Sequence, residues 1–422
     1  MSFSPSPDPA AGLTLQRLTV TGPADLAPIR ADWLGLLAQV PSALPFQTPE
    51  WCLAWWDTFA VQTRWRRDHL TLFVWRDRGR LVGVLPLVRS VSGWGPLALL
   101  TQWRPLGADP NLTELRAPLV LPGHEAAVAR QWLDWVAQHA GMHQVILPTE
   151  LLMQELARRP QLARLGLREV PNYVLTPGSD WPTFKTGLKR NIKESLRRCY
   201  NSLAREGLSA RLEVLSEPDQ LRALLPDYYR LHGLRADQAD TIAHPDYFEA
   251  PQHRRFIDGL LSQASAGGAL GLRLLVLRVG EQAVAMRLAF VTQQSLYLYY
   301  SGYEPAWGRF SVMTTLVSEA IQWAQAQGLK QVNLSVGRDV SKTRWGPEER
   351  QFTDHYLAGG GAFNRWLMRT LVRQRGLSAG YLTVEQAAEA AEAASAEARA
   401  EALAQAPAQA GPAPDAPPAA SR

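Results

Sequence analysis

GYEPAWGRFSVMTTLVSEAIQWAQAQGLKQVNLSVG, residues 302–337, decides the fold. A tyrosine-rich strand enters a turn of small residues, a helix follows, and the chain returns at once to a strand. Met313, Leu316, Val317, Ala320, Ile321 and Ala324 recur at i, i+3, i+4 and i+7, which buries one helix face. Ser311 stands where an N-cap belongs. Gly328 suits the helix C-terminus, since glycine takes the left-handed conformation that ends a helix. The unit is one crossover of an α/β core. The start of such a helix also favours an anion, through its unpaired N–H groups and its dipole.

Outward from this stretch, strands are expected at 272–279, 283–291, 295–303 and 331–336, and the loop GRDVSKTRWGPEER follows the last. LLVLRVGEQAVAMRLAF (274–290) aligns without a gap on LFVWRDRGRLVGVLPLV (72–88), and both read as hairpins. GLKQVNLS (328–335) aligns on GMHQVILP (141–148), each after a helical stretch. The order hairpin, helix, glycine, strand therefore occurs twice, as tandem copies of one domain would give. The expected division is 13–178, 179–360, and an extension with a tail over 361–422.

Between the copies, Phe184, Leu188, Ile192, Leu196, Cys199 and Leu203 form an apolar stripe. Lys185, Lys189, Arg190, Lys193, Arg197, Arg198 and Arg205 make the rest of this helix, 184–207, strongly basic: a solvated face, or a surface for phosphates. Over all 422 residues the net charge is only +5, too mild to name a partner, and nothing points to DNA. Two distant cysteines, Cys52 and Cys199, form neither a disulfide framework nor a metal motif, so no metal is expected. The leader MSFSPSPDPAAG lacks a signal-peptide pattern and no apolar run reaches the ~18 residues of a membrane span. A cytoplasmic protein is expected. FNRWLMRTLVRQRG near the C-terminus sets Phe363, Trp366, Leu367, Thr370 and Leu371 on one side and arginines elsewhere. It packs on its own domain, or makes peripheral membrane contact through 363–376. The Ala/Glu-rich and Ala/Pro-rich tail beyond it reads as a lone helix and a disordered end.

The stretches FQTPEWCLAWW (46–56), RGRLVGVLPLV, LKRNIKESLRR, LHGLRADQADTIAHPDYF (231–248), YLYYSGYEPAWGRFSVMTTLVSEAI and NLSVGRDVSKTRWG, in this order, resemble the BioF2-like (CelD-type) acyltransferases of the GNAT superfamily. These are tandem-domain relatives of the Fem aminoacyltransferases. The resemblance implies two GNAT-like α/β domains, each a mixed, mostly antiparallel sheet flanked by helices. It also implies an acyl-CoA co-substrate, acetyl-CoA in the simplest case, held mainly by the second copy, with an amine acceptor in the cleft. That acceptor would be a sugar, a cell-envelope precursor or another small molecule.

On this resemblance, Tyr300, Gly308, Arg309, Ser311, Val312 and Met313 surround the CoA site, with Arg190 from the basic helix. Many relatives have Ser-Pro-Gly where this chain has Ser311-Val312-Met313, so two side chains stand where phosphates need room. Lys342 and Trp345 match a Lys and a Trp of the relatives. Lys342 is a candidate for oxyanion or phosphate stabilisation, and Trp345 for substrate contact. Asp339 is a candidate base or amine holder, or a turn cap. Tyr303 is a candidate acid for the thiolate, and His232 a candidate base near neutral pH. Asn333 stands where many relatives have Asp and is not assigned the base. Asp109 and Asn111, in GADPNLTE, resemble an acidic pair facing the cleft, and Arg235 shares the helix of His232. Two alternatives stay open: a Fem-like transferase using aminoacyl-tRNA, drawn by the basic helix, and a catalytically degenerate scaffold in polysaccharide assembly.

Overall fold

The computed structural model describes residues 12–94, 97–109, 111–238, 245–264 and 269–375. Residues 1–11 of the leader, His244 and the tail from 376 lie outside it.

The first half supplies strands β1 (Leu13–Val20), β2 (Arg66–Asp77), β3 (Arg80–Trp94), β4 (Leu97–Pro105), β5 (Leu119–Val120), β6 (Gly141–Ile146) and β7 (Ala163–Leu175). The second supplies β8 (Ala210–Leu215), β9 (Gly271–Val279), β10 (Gln282–Val291), β11 (Ser295–Tyr303), β12 (Gln331–Val336) and β13 (Glu348–Gly359). All belong to one sheet, ordered β1-β2-β3-β4-β6-β13-β7-β12-β11-β10-β9-β8, with β5 on β3. The two aligned hairpins are β2–β3 and β9–β10. Every pairing is antiparallel except β4 with β6 and β11 with β12. Helices cover the faces, so the chain is an α/β protein in two tandem copies, as the repeated order requires.

The pairing exchanges strands between the halves. β7 follows β6 in sequence but lies against β12, and β13 follows β12 but lies against β6. β7 and β13 also pair with each other, from Glu348 opposite Val174 to Ala358 opposite Ala163. Each half thus lends its last strand to the other, and the boundary near 178 is crossed by hydrogen bonds in both directions. The core is continuous as well. Trp51, on the helix Pro49–Phe59, sits 5.0 Å from Phe256 and 5.6 Å from Phe290 of the second half.

The basic helix is two helices. Trp181–Gly187 and Arg190–Arg205 are separated by Leu188 and Lys189, both extended. Leu188 is buried in the core with Ile192, Leu196 and Leu203, so the apolar stripe holds the break in place. In the terminal helix Ala362–Arg375, Met368 is buried while Phe363 and Trp366 are 73% and 60% exposed. Its expected single apolar side is therefore divided between the sheet and solvent.

Candidate active site

β11 and β12 run side by side for only three residue pairs, ending at Tyr297 opposite Asn333. On its other edge β12 pairs with β7 at Val332 and Asn333 and, after an irregularity, again at Val336 opposite Asn172. Ser335 takes a left-handed conformation (φ 73°), and the Asn333 side chain fixes it by accepting from the Ser335 N–H at 2.8 Å. A split opens between the two strands, and the site is built around it.

The carboxylate of Glu114 is seated at this split, although it comes from the first half. It accepts from Tyr297 Oη at 2.6 Å and from Ser335 Oγ at 2.8 Å. Tyr300 Oη donates to the Asn111 carbonyl at 2.6 Å, and Tyr299 Oη donates to the Leu112 carbonyl. Three tyrosines of β11 therefore clamp the loop that delivers Glu114. Asp109 orders that loop from within, accepting from Leu112 N (2.6 Å), Thr113 N (2.9 Å), Trp55 Nε1 (2.8 Å) and the Thr113 hydroxyl. Asp109 is buried by these bonds rather than turned toward the cleft. Asn111 adopts φ 69° and its amide reaches Tyr247 Oη at 3.4 Å. Tyr300, expected beside the cofactor, belongs to the clamp.

Two cations, Lys342 and Arg287, face Glu114, and Arg235 lies beside Arg287. Lys342, on the short helix Val340–Thr343, donates to the Val336 carbonyl and lies 3.5 Å from the Gly337 carbonyl. Burial lowers its pKa to about 8, against the pull of Glu114 and Asp339. Burial, opposed by Tyr297, Lys342 and Ser335, raises the Glu114 carboxyl above its ordinary value. Arg235 Nη1 and Arg287 Nη2 meet at one hydroxyl, Ser301 Oγ, at 2.6 and 3.0 Å. Asp339 caps its own turn, accepting from Ser341 N at 2.8 Å and Ser341 Oγ at 2.9 Å.

His232 is buried. Its Nδ1 is 3.0 Å from the Ser301 carbonyl and its Nε2 is 3.8 Å from Asp246. Burial lowers its pKa, with Ser301 and Asp246 opposing. Trp345 is a core residue, 2% exposed, so it supports the loop from beneath. Tyr303 is half-buried with its ring on Gly308.

The helix Val312–Ala326 begins at Ser311, which is left-handed (φ 55°) and makes no side-chain cap. The expected Ser311 cap is thus absent, because the tight exit from the 3-10 turn Pro305–Phe310 turns the residue instead. Val312 is buried in the core and Met313 packs against it, so both side chains are turned to the protein. Arg344 stands at this helix start, donating to Thr314 Oγ1, with its Nε buried and unbonded. Arg309 is exposed and pairs with Glu206 at 3.2 Å. Arg190 pairs with Glu194. Cys199, nine residues on, approaches the Ser311 carbonyl at 3.9 Å, so Arg190 lies about 13 Å along the helix from that turn. First-turn N–H groups, a nearby guanidinium and inward side chains fit the phosphates of a CoA.

Beside the split, a largely apolar cavity of about 390 Å³ lies between the halves; Leu44, Asn172, Tyr297, Asn333 and Phe352 line it. No described helix is long and apolar enough to cross a membrane.

Residues 190–345 match the family model of an acetyltransferase (GNAT) domain. No curated protein sequence matched the chain. Among solved structures, FemX is 9% identical over 80% of this chain and 96% of its own, with a TM-score of 0.52. A tandem GNAT protein from the clavulanic acid biosynthesis pathway is 14% identical over 82% and 99%, with a TM-score of 0.40. The C-terminal domain of a putative lysylphosphatidylglycerol synthetase from Agrobacterium fabrum is 14% identical over 72% and 88%, with a TM-score of 0.39. The chain shares the fold of FemX, and an acetyltransferase (GNAT) domain is matched from the basic helix to Trp345.

Proposed function

We propose that this chain is an N-acyltransferase that moves an acyl group from acyl-CoA to an amine at the split between β11 and β12. The observation that carries this reading is the Glu114 carboxylate, held at the split by Tyr297 and Ser335 and faced by Lys342. When bound, acyl-CoA supplies the thioester. A C–N bond forms at its carbonyl carbon and the C–S bond breaks. The attacking amine must lose a proton, and Glu114 is the base that takes it. The departing thiolate must gain one, and the Lys342 ammonium gives it. A lysine with a pKa of about 8 is well matched to a thiol, whose ordinary value is about 8.5. Asp339 and His232 position this set, through the turn that carries Lys342 and through Ser301. Tyr303 borders the donor side.

A thiol-release assay with a panel of acyl-CoAs and amines tests this reading, beside calorimetric titration of the same donors. Acetyl-CoA is the first donor to try. The apolar cavity beside Tyr297 has room for longer chains. Glu114→Gln should bind donor as the wild type does and lose about 10²–10⁴-fold in turnover, the usual contribution of a positioned base. Full turnover in that variant would remove Glu114 from the reaction.

One observation favours a second donor, aminoacyl-tRNA. Lys185, Lys189, Arg190, Arg197, Arg198 and Arg205 are all exposed on the paired basic helices. Binding through them would weaken steeply with salt. The inward packing of Val312 and Met313 supports an enzyme over a degenerate scaffold.

A further inference from the structure

Arg287 has a surplus that acyl transfer does not use. It lies on β10 opposite Ser301 of β11, and among the described residues its side chain hydrogen-bonds only to that serine hydroxyl. Its Nε is enclosed and bonds to nothing, and no carboxylate among the described residues pairs with it. A guanidinium cannot escape such a position by shedding its proton. Burial lowers its pKa only to about 10, so it stays charged at neutral pH. An enclosed charge without a hydrogen-bonded counter-ion is costly to keep. The residue is nevertheless half-buried rather than sealed, as are Arg235, Lys342 and Glu114.

We propose that Arg287, with Arg235 beside it, binds an anionic group, carboxylate or phosphoryl, on the acyl acceptor. The proposal rests on the acyl-transfer reading for the identity of the acceptor. The planar fork of a guanidinium suits either anion. Glu114 lies within the same field and draws the amine of that molecule. The site is thus complementary to a small zwitterion: an ammonium toward Glu114 and an anion toward Arg287. The acceptor class that follows is an amino acid or an aminoalkyl or amino-sugar phosphate.

The first test does not need turnover. Thermal unfolding of the full chain is followed with inorganic phosphate and with acetate, at constant ionic strength, for the wild type and Arg287→Gln. The anions should raise the melting temperature of the wild type more than that of the variant, while both chains titrate acetyl-CoA alike. Equal rises in both chains overturn the proposal. So does loss of acetyl-CoA binding in the variant, which would assign Arg287 to the donor's phosphates. Arg287→Lys keeps the charge without the fork and serves if Arg287→Gln does not fold; its rise should fall by half or more, and an unchanged rise overturns the proposal. The second test compares amines by thiol release: glycine against glycinamide, and phosphoethanolamine against ethanolamine. The wild type should show a KM roughly tenfold or more lower for each anionic member, the factor a charged hydrogen bond supplies. Arg287→Gln should erase that difference with the acetyl-CoA KM little changed. A wild type that prefers the neutral amines overturns the proposal. Absence of turnover with every amine counts against acyl transfer alone, and the melting experiment still decides whether Arg287 binds anions.

Discussion

Lys342 carries the sharpest pH signature among single residues. Its folded pKa of about 8 lies below the ordinary 10.5, because burial penalises the ammonium. As the proton donor it must be charged, so turnover should fall as pH rises through about 8. Glu114 must be ionised, so turnover should also fall on the acid side, at a pH above the usual carboxylate range because burial raises its pKa. A bell-shaped profile of kcat/KM is the expected result, and Lys342→Arg should remove its basic limb. Stability has the opposite sign to the basic limb. Below about pH 8 the folded and unfolded chains both hold the lysine proton, and the burial penalty stands in full. Between about 8 and 10.5 the folded chain sheds it first, so folding becomes more favourable as pH rises. Urea midpoints on either side of pH 8 should show that gain in the wild type and not in Lys342→Met. A profile flat through pH 8 would remove Lys342 as the acid.

Elements explain why these residues meet, and why only some of the meeting was legible in the sequence. The helix Pro218–Ala236 presses directly on β11. A Cβ built on Gly302 would lie 2.2 Å from the His232 backbone nitrogen and 2.3 Å from the Leu231 carbonyl carbon. Gly302→Ala must therefore push the helix off the strand, at a cost of about 1–3 kcal/mol. It should also carry Arg235 and His232 away from Ser301, lowering both the denaturation midpoint and turnover. The hairpins and the helix Val312–Ala326 were legible because strand and helix periodicities are local. Lys342 was legible through the resemblance of its loop. Glu114 was not, because its role is set by tyrosines 183 residues and more away. A signal did exist. In the second copy residues 304–311 join strand to helix, whereas the first copy spends 106–124 on the same connection and places acids there. That extra length is the loop the tyrosines clamp. The exchange of β7 and β13 left no signal, since alternation identifies a strand without choosing its neighbours. The exposed Phe363 and Trp366, with Arg365 and Arg369 on the same helix, match an interfacial contact, and we propose that this helix touches an anionic membrane surface. Vesicles rich in anionic lipid should sediment the wild type. Changing Phe363 and Trp366 together to serine should abolish that and leave acyl transfer intact; equal sedimentation of both chains would exclude the helix.

At the level of the whole molecule, the exchanged strands make two copies into one folding unit. A chain cut near 178 leaves the first piece with β6 bare along the edge that β13 covers. It also leaves β7 without either of its partners. The second piece keeps β12 with a bare edge and β13 with no neighbour. Each piece would thus carry long unpaired edges, which are templates for aggregation. Each would also expose the core shared between Trp51, Phe256 and Phe290. The intact chain should therefore melt in a single calorimetric transition whose van't Hoff and calorimetric enthalpies agree. Residues 12–178 and 179–375 produced separately should be insoluble or unfolded, and produced together they should assemble into a one-to-one complex. Turnover offers an independent check, because Glu114 lies in the first piece and Lys342 in the second. Activity should return only on assembly. It should be lost when either piece carries Glu114→Gln or Lys342→Met. Two well-separated transitions, or a second piece that folds and turns over alone, would show that the strand exchange does not couple the halves and that the base comes from elsewhere.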